Sequence, residues 1–146
     1  PSPNPSAPYQ GELAISQGKG ETYSGSLKGT GVLTLLDGTQ ILTGQNQING
    51  TVDIHNGTLI LKDKGSFSTE PGSAAGPLVV GLAQGDQGHL VLDGPDAKIQ
   101  RMSVFVGNGD ANYGGKGGPV GTSDATLKNG AQINNRTNEG MYVVVG

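Results

Sequence analysis

Three aspartates hold the chemistry that could make this chain an enzyme. Asp37, Asp63 and Asp93 each close an apolar run, in Leu33-Thr-Leu-Leu-Asp37, Leu59-Ile-Leu-Lys-Asp63 and Leu90-Val-Leu-Asp93. If the runs stack, equivalent turns bring the carboxylates into one column, where a pair can serve as acid and base or hold calcium. Asp before Gly, as in Asp37-Gly38 and Asp93-Gly94, is also ordinary turn chemistry. Only Arg101 and Arg136 are available as arginines to stand beside an acid.

The other reactive residues form no constellation. His55 and His89 lie far apart, and only Asp53 is close to His55 in sequence, so both are expected as exposed histidines on strand faces. Tyr23-Ser-Gly-Ser-Leu27 lacks the strand-to-helix frame of a nucleophile elbow. In the glycine-rich stretch Gly107 to Gly118, Lys116 follows Gly115, but Asp110 stands where a phosphate loop needs its first glycine and Gly117 where it needs Ser or Thr. The calcium-binding nonapeptide frame is missing too. No catalytic residue, metal ligand or cofactor is therefore assigned. The stretch reads as a surface loop with Tyr113 as a contact residue. Amides supply the remaining candidates, Gln45, Asn46, Gln47, Asn134 and Asn135, which could stack as ladders or meet another chain in weak, multivalent contacts.

The elements that must carry these residues are short strands. Gly57-Thr-Leu-Ile-Leu-Lys-Asp-Lys-Gly-Ser-Phe67 sets out a plan of glycine, alternating apolar residues, polar turn and apolar closure. Variants follow Gly31, Gly88 and Thr126. Strands are predicted at Leu13 to Ile15, Val32 to Leu36, Gln40 to Thr43, Gln47 to Ile48, Thr51 to Ile54, Thr58 to Leu61 and Ser66 to Ser68. Another is expected around Tyr23 and Leu27. Leu33 and Leu59, 26 residues apart in matching contexts, suggest one turn of a coil. Beyond a Gly, Ser, Ala and Pro loop at 70–77 the phrase changes, and Leu78-Val-Val-Gly81, Val104-Phe-Val-Gly107 and Val143-Val-Val-Gly146 echo one another. Such β-branched runs belong to strands covered on both sides or lining a narrow core. No segment has helical periodicity. Repetition of this kind marks a solenoid, in which each unit buries its apolar face only against its neighbours.

Composition agrees. The 146 residues include 27 Gly and 8 Pro, with 4% aromatic residues and no Trp, which favours a thin core of stacked Val, Ile and Leu. A net charge of −3 without a basic cluster argues against a nucleic-acid partner. The absence of Cys excludes disulfides and thiolate zinc sites. No apolar run is long enough for a membrane-spanning helix. Residues 1–8, with four prolines, read as a linker or capping arm, and 9–146 as one repeat domain of about six coils. The lack of an initiator Met and of a signal peptide suggests a mature or excised piece of a longer chain.

Gly29-Thr-Gly-Val-Leu-Thr-Leu35, Gly57-Thr-Leu-Ile-Leu61, and Val79-Val-Gly81 followed by Gly88-His-Leu-Val-Leu-Asp-Gly94 resemble the repeats of bacterial autotransporter passenger domains. The resemblance covers roughly residues 29 to 146 and implies an all-β, right-handed parallel β-helix. It also implies export across the outer membrane, display at the cell surface or secretion, and a non-catalytic role in adhesion or self-association, with a host surface or another copy as partner. Its glycine, turn and strand motifs carry no functional residues to transfer. Two alternatives stand beside it: a polysaccharide-active β-helix enzyme using stacked aspartates, and a purely structural stalk.

Overall fold

A computed structural model describes residues 11–69, 76–81, 85–107, 123–134 and 143–145. These form sixteen strands: β1 (Glu12–Ile15), β2 (Gly18–Tyr23), β3 (Lys28–Gly29), β4 (Val32–Leu35), β5 (Gly38–Leu42), β6 (Gln45–Ile48), β7 (Thr51–Ile54), β8 (Gly57–Lys62), β9 (Ser66–Ser68), β10 (Leu78–Val80), β11 (Gly88–Asp93), β12 (Lys98–Gln100), β13 (Val104–Val106), β14 (Asp124–Lys128), β15 (Gln132–Asn134) and β16 (Val143–Val145). Every third strand pairs in parallel. Sheet I runs β1-β4-β7-β10-β13-β16, sheet II β2-β5-β8-β11-β14 and sheet III β3-β6-β9-β12-β15. The chain is thus a parallel β-helix, with five three-strand coils and β16 opening a sixth.

Alternation along each strand decides what faces the axis. Leu59, Leu61, Leu90 and Leu92 of sheet II point inward and are at most 1% exposed, while Ile60 and Val91 between them face out and are half-buried. Sheet I contributes Leu33, Leu35, Val52, Ile54, Leu78, Val80, Val104 and Val106, and sheet III contributes Ile48, Phe67 and Ile99. Among the described residues Phe67 is the one fully buried aromatic in the axial cluster, which suits a core this narrow. The three valine-rich echoes stack in register as β10, β13 and β16, with Leu78 against Val104 and Val104 against Val143. Their outward members Val79 and Phe105 are only 2% and 6% exposed, so this part of sheet I is covered on both sides.

Glycine makes the corners tight. Gly11, Gly31, Gly50 and Gly76 stack between sheets III and I, and Gly18, Gly38, Gly57 and Gly88 between sheets I and II. A Cβ at Gly50 would fall on the carbonyl oxygen of Gly31, and one at Gly57 would lie 2.5 Å from that of Gly38. Backbone passes directly over backbone there, which only glycine allows.

One sequence expectation about register is corrected. Leu33 lies in sheet I and Leu59 in sheet II, so their 26-residue spacing does not measure a coil. Leu33 instead pairs with Val52, 19 residues on, and Leu13 with Leu33 at 20. A 26-residue coil does occur, but later, from Val52 to Leu78 and from Leu78 to Val104. The longer coils carry their extra residues between strands, where added loop length costs little.

Candidate functional site

The aspartates do not form one column. Asp37 lies at the corner between sheets I and II, where its Oδ1 accepts a hydrogen bond from the Gln17 backbone N–H. Asp63 and Asp93 lie at the corner between sheets II and III, where the Asp63 N–H donates to the Asp93 carbonyl at 3.2 Å. In register Asp93 follows Lys62 rather than Asp63. The stacked carboxylates on which an acid–base mechanism would rest are therefore split between two corners.

Asp93 is instead held by neighbours of its own sheet. Asn129 Nδ2 donates to its Oδ1 at 2.7 Å, and Lys128 Nζ lies 3.7 Å from its Oδ2. The hydrogen bond from Asn129 is the main cause that lowers this carboxyl; desolvation opposes it, and the nearby charges of Lys128 and Lys62 add to the lowering. At the lone bulge of the first coil, between Lys19 and Glu21, the Lys19 N–H donates to Glu21 Oε2 at 2.7 Å and lowers that carboxyl likewise.

Both histidines have acidic partners that local sequence does not reveal. His55 Nδ1 lies 2.8 Å from Asp86 Oδ2 and His89 Nδ1 lies 2.9 Å from Asp124 Oδ2, each pair joining consecutive coils. The pairs differ in setting: the Asp86 side chain is 8% exposed, that of Asp124 55%. Ser123 completes a Ser, His and Asp set at the corner of sheets I and II, but not a catalytic relay. Its hydroxyl donates to the Asp86 carbonyl at 3.3 Å and accepts from the Gly88 N–H at 3.1 Å, rather than bonding to the imidazole that would activate it. Gln87 N–H donates to Asn56 Oδ1 at 2.9 Å, tying the same corner again. Among the described residues no group of three or more His, Asp or Glu could hold a metal ion.

The amide candidates separate by strand parity. Gln45 and Gln47 face outward on β6, whereas Asn46 points into the core with Ile48 and is 1% exposed. Asn46 is thus corrected from surface contact to structural residue. Its Oδ1 accepts from the Leu27 N–H at 2.9 Å, and its Nδ2 donates to the carbonyls of Gly44 and Ser66, both at 3.1 Å. One side chain so bridges the first three coils, and its buried polar atoms are satisfied. Alternation from Ile48 was the signal in the sequence that could have placed it there. Asn134 holds a register position opposite Gln100 in sheet III; Tyr113 and Asn135 lie outside the described residues.

What assembles is a polar outer face on sheet III. One column runs Gln45, Ser66, Lys98 and Gln132. The neighbouring column holds Lys28, Gln47 and Ser68, with Gln100 two residues beyond Lys98 and Asn134 opposite it. Parallel pairing repeats such positions about every 4.8 Å along the axis. The arrangement offers donors and acceptors in rows rather than a convergent reactive centre. A separate hollow of about 330 Å³ in the first two coils is bordered by Leu13, Ile15, Tyr23, Leu27 and Leu42, with Glu21, Thr22 and Gln40.

The chain matches no protein-family model, no curated protein and no solved structure. Among the described residues no helix is long and apolar enough to cross a membrane, which says nothing of β-barrels.

Proposed function

We propose that this chain is a non-catalytic segment of a surface-displayed, autotransporter-type passenger, acting in adhesion or self-association through the outer face of sheet III. The observation that carries the proposal is the pair of in-register polar columns containing Gln45, Gln47, Lys98 and Gln100. No hydrogen bond or ion pair among the described residues engages these four side chains. A row of weak donors and acceptors gains strength by repetition, which suits contacts between long arrays. The division of the aspartates between corners, and the engagement of Ser123 away from His55, favour this reading over a polysaccharide-active enzyme.

Aggregation and cell-binding assays of the displayed passenger, with and without residues 29–146, test the proposal. Loss of aggregation or binding on deletion is expected, and the double variant Gln47→Glu/Gln100→Glu should weaken it while leaving the thermal melt in place. Unchanged behaviour on deletion would reduce the segment to a stalk.

A further inference from the structure

Where sheets II and III meet, the corner lengthens by one residue at each step from the second coil to the fourth. In the second coil it is Thr43-Gly44, in the third Asp63-Lys64-Gly65 and in the fourth Gly94-Pro95-Asp96-Ala97. The step leaves a hollow of about 320 Å³ bordered by Gln45, Lys64, Asp96 and Lys98, one residue or two from each of three coils. Ser66, 5% exposed, stands in register between Gln45 and Lys98, and its short side chain keeps the two long ones apart. Backbone fixes the frame: Gly65 N–H donates to the Lys62 carbonyl at 2.8 Å, Ala97 N–H to that of Gly94 at 3.2 Å, and Lys98 N–H to that of Gly65 at 3.1 Å.

The four polar side chains make no hydrogen bond or ion pair among the described residues, so their capacity is open to a ligand. Two ammonium groups against one carboxylate leave a single positive charge, which matches one anionic group rather than a multiply charged phosphate. Asp96 can accept two hydroxyl hydrogen bonds, and the Gln45 amide can donate and accept. A carboxylate beside several hydroxyls is the chemistry of an acidic sugar.

We propose that this hollow binds a uronic-acid unit of a polysaccharide, its carboxylate between Lys64 and Lys98 and its hydroxyls on Asp96 and Gln45. The proposal rests on the adhesive reading of sheet III, because Gln45 and Lys98 belong to that face, and it gives the adhesion a ligand class.

Titration of the full chain with a glucuronate-containing disaccharide, the corresponding neutral disaccharide and acetate, followed by calorimetry and amide chemical shifts, tests it. The acidic disaccharide should bind and shift the amides of 64–66 and 96–98. Lys98→Ala and Lys64→Ala should each weaken it about tenfold, as loss of a charge-assisted hydrogen bond does. Lys19→Ala and Lys128→Ala, on sheet II and outside the hollow, should leave it unchanged. Equal binding of the neutral sugar or of acetate would overturn the proposal, as would affinity indifferent to both Lys64 and Lys98. The display assay separates the two claims. Aggregation that persists without any uronate binding overturns the site and leaves self-association standing. Uronate binding by a chain that neither adheres nor aggregates when displayed supports the site and overturns the adhesive reading.

Discussion

The outer faces of sheets II and III are built by the same stacking and end with opposite character. Sheet II presents a column of Thr22, Ile41, Ile60, Val91 and Thr126, beside a second that contains Thr39, Thr58, His89 and Asp124. Several of its charges are paired within the chain, His89 with Asp124 and Asp93 with Lys128 and Asn129. Sheet III presents Gln45, Gln47, Lys98 and Gln100, whose side chains find no partner among the described residues. A parallel ladder fixes the backbone whatever the outward side chains are, so each outer face is free to vary. Sheet II ties several of its outer charges to one another; sheet III leaves Gln45, Gln47, Lys98 and Gln100 for something else.

The interiors of the two sheets differ as well, and substitution there gives the largest expected effects. Leu61 is 0% exposed and stacks between Leu42 and Leu92 in sheet II. Leu61→Ala should cost about 2 to 5 kcal/mol in urea or thermal unfolding, because the rigid ladders above and below cannot collapse into the cavity. A wild-type melt for this variant would refute the inward assignment of β8. In sheet III the corresponding interior residue of the second coil is Asn46. Asn46→Ala should cost about 1 to 3 kcal/mol by leaving the Leu27 N–H and the Ser66 carbonyl unpaired. Amide exchange at Leu27 should quicken in that variant more than at Leu92.

A smaller effect separates the paired charges of sheet II from the open ones of sheet III. The lowered carboxyl of Asp93 favours the folded state when ionised, so its contribution is present above the ordinary Asp range and is lost as pH falls through the folded value. Asn129→Ala removes the main cause of the lowering. The Asp93 titration followed by NMR should then move upward toward its ordinary value, and the part of the acid-side decline in melting temperature that Asp93 causes should shrink. An unmoved titration would mean that the lysines alone hold Asp93. The smallest effect is expected for Ile60→Lys on the outer face of sheet II, which should change stability by less than about 0.5 kcal/mol and leave aggregation as it was. Loss of aggregation in Ile60→Lys would shift the contact surface from sheet III to sheet II.

Much of the strand pattern was legible before any coordinates. Thr51 to Ile54 and Ser66 to Ser68 coincide with β7 and β9, Val32 to Leu36 runs one residue beyond β4, and Thr58 to Leu61 falls one residue short of β8 at each end. β2 was the hard case. Gly18-Lys-Gly-Glu-Thr-Tyr23 has little apolar alternation and becomes a strand by pairing along β5. The candidate site was less legible, because a column requires knowledge of coil length. His55 meets Asp86 at 31 residues and His89 meets Asp124 at 35, separations set by the loops between strands.

The sequence by itself determined the all-β solenoid, since glycine at the corners and alternating Leu, Val and Ile leave short stacked strands as the way to bury apolar surface. Tertiary structure alone decided the register. Side chains alternate with a period of two along each strand, but their neighbours in space lie 19 to 39 residues away, as from Leu33 to Val52 and from Val104 to Val143. Local pattern specifies which face a residue occupies; backbone pairing between coils specifies what stands beside it. That is why Asp37 parts from Asp93 while Gln45, Lys64, Asp96 and Lys98 come together.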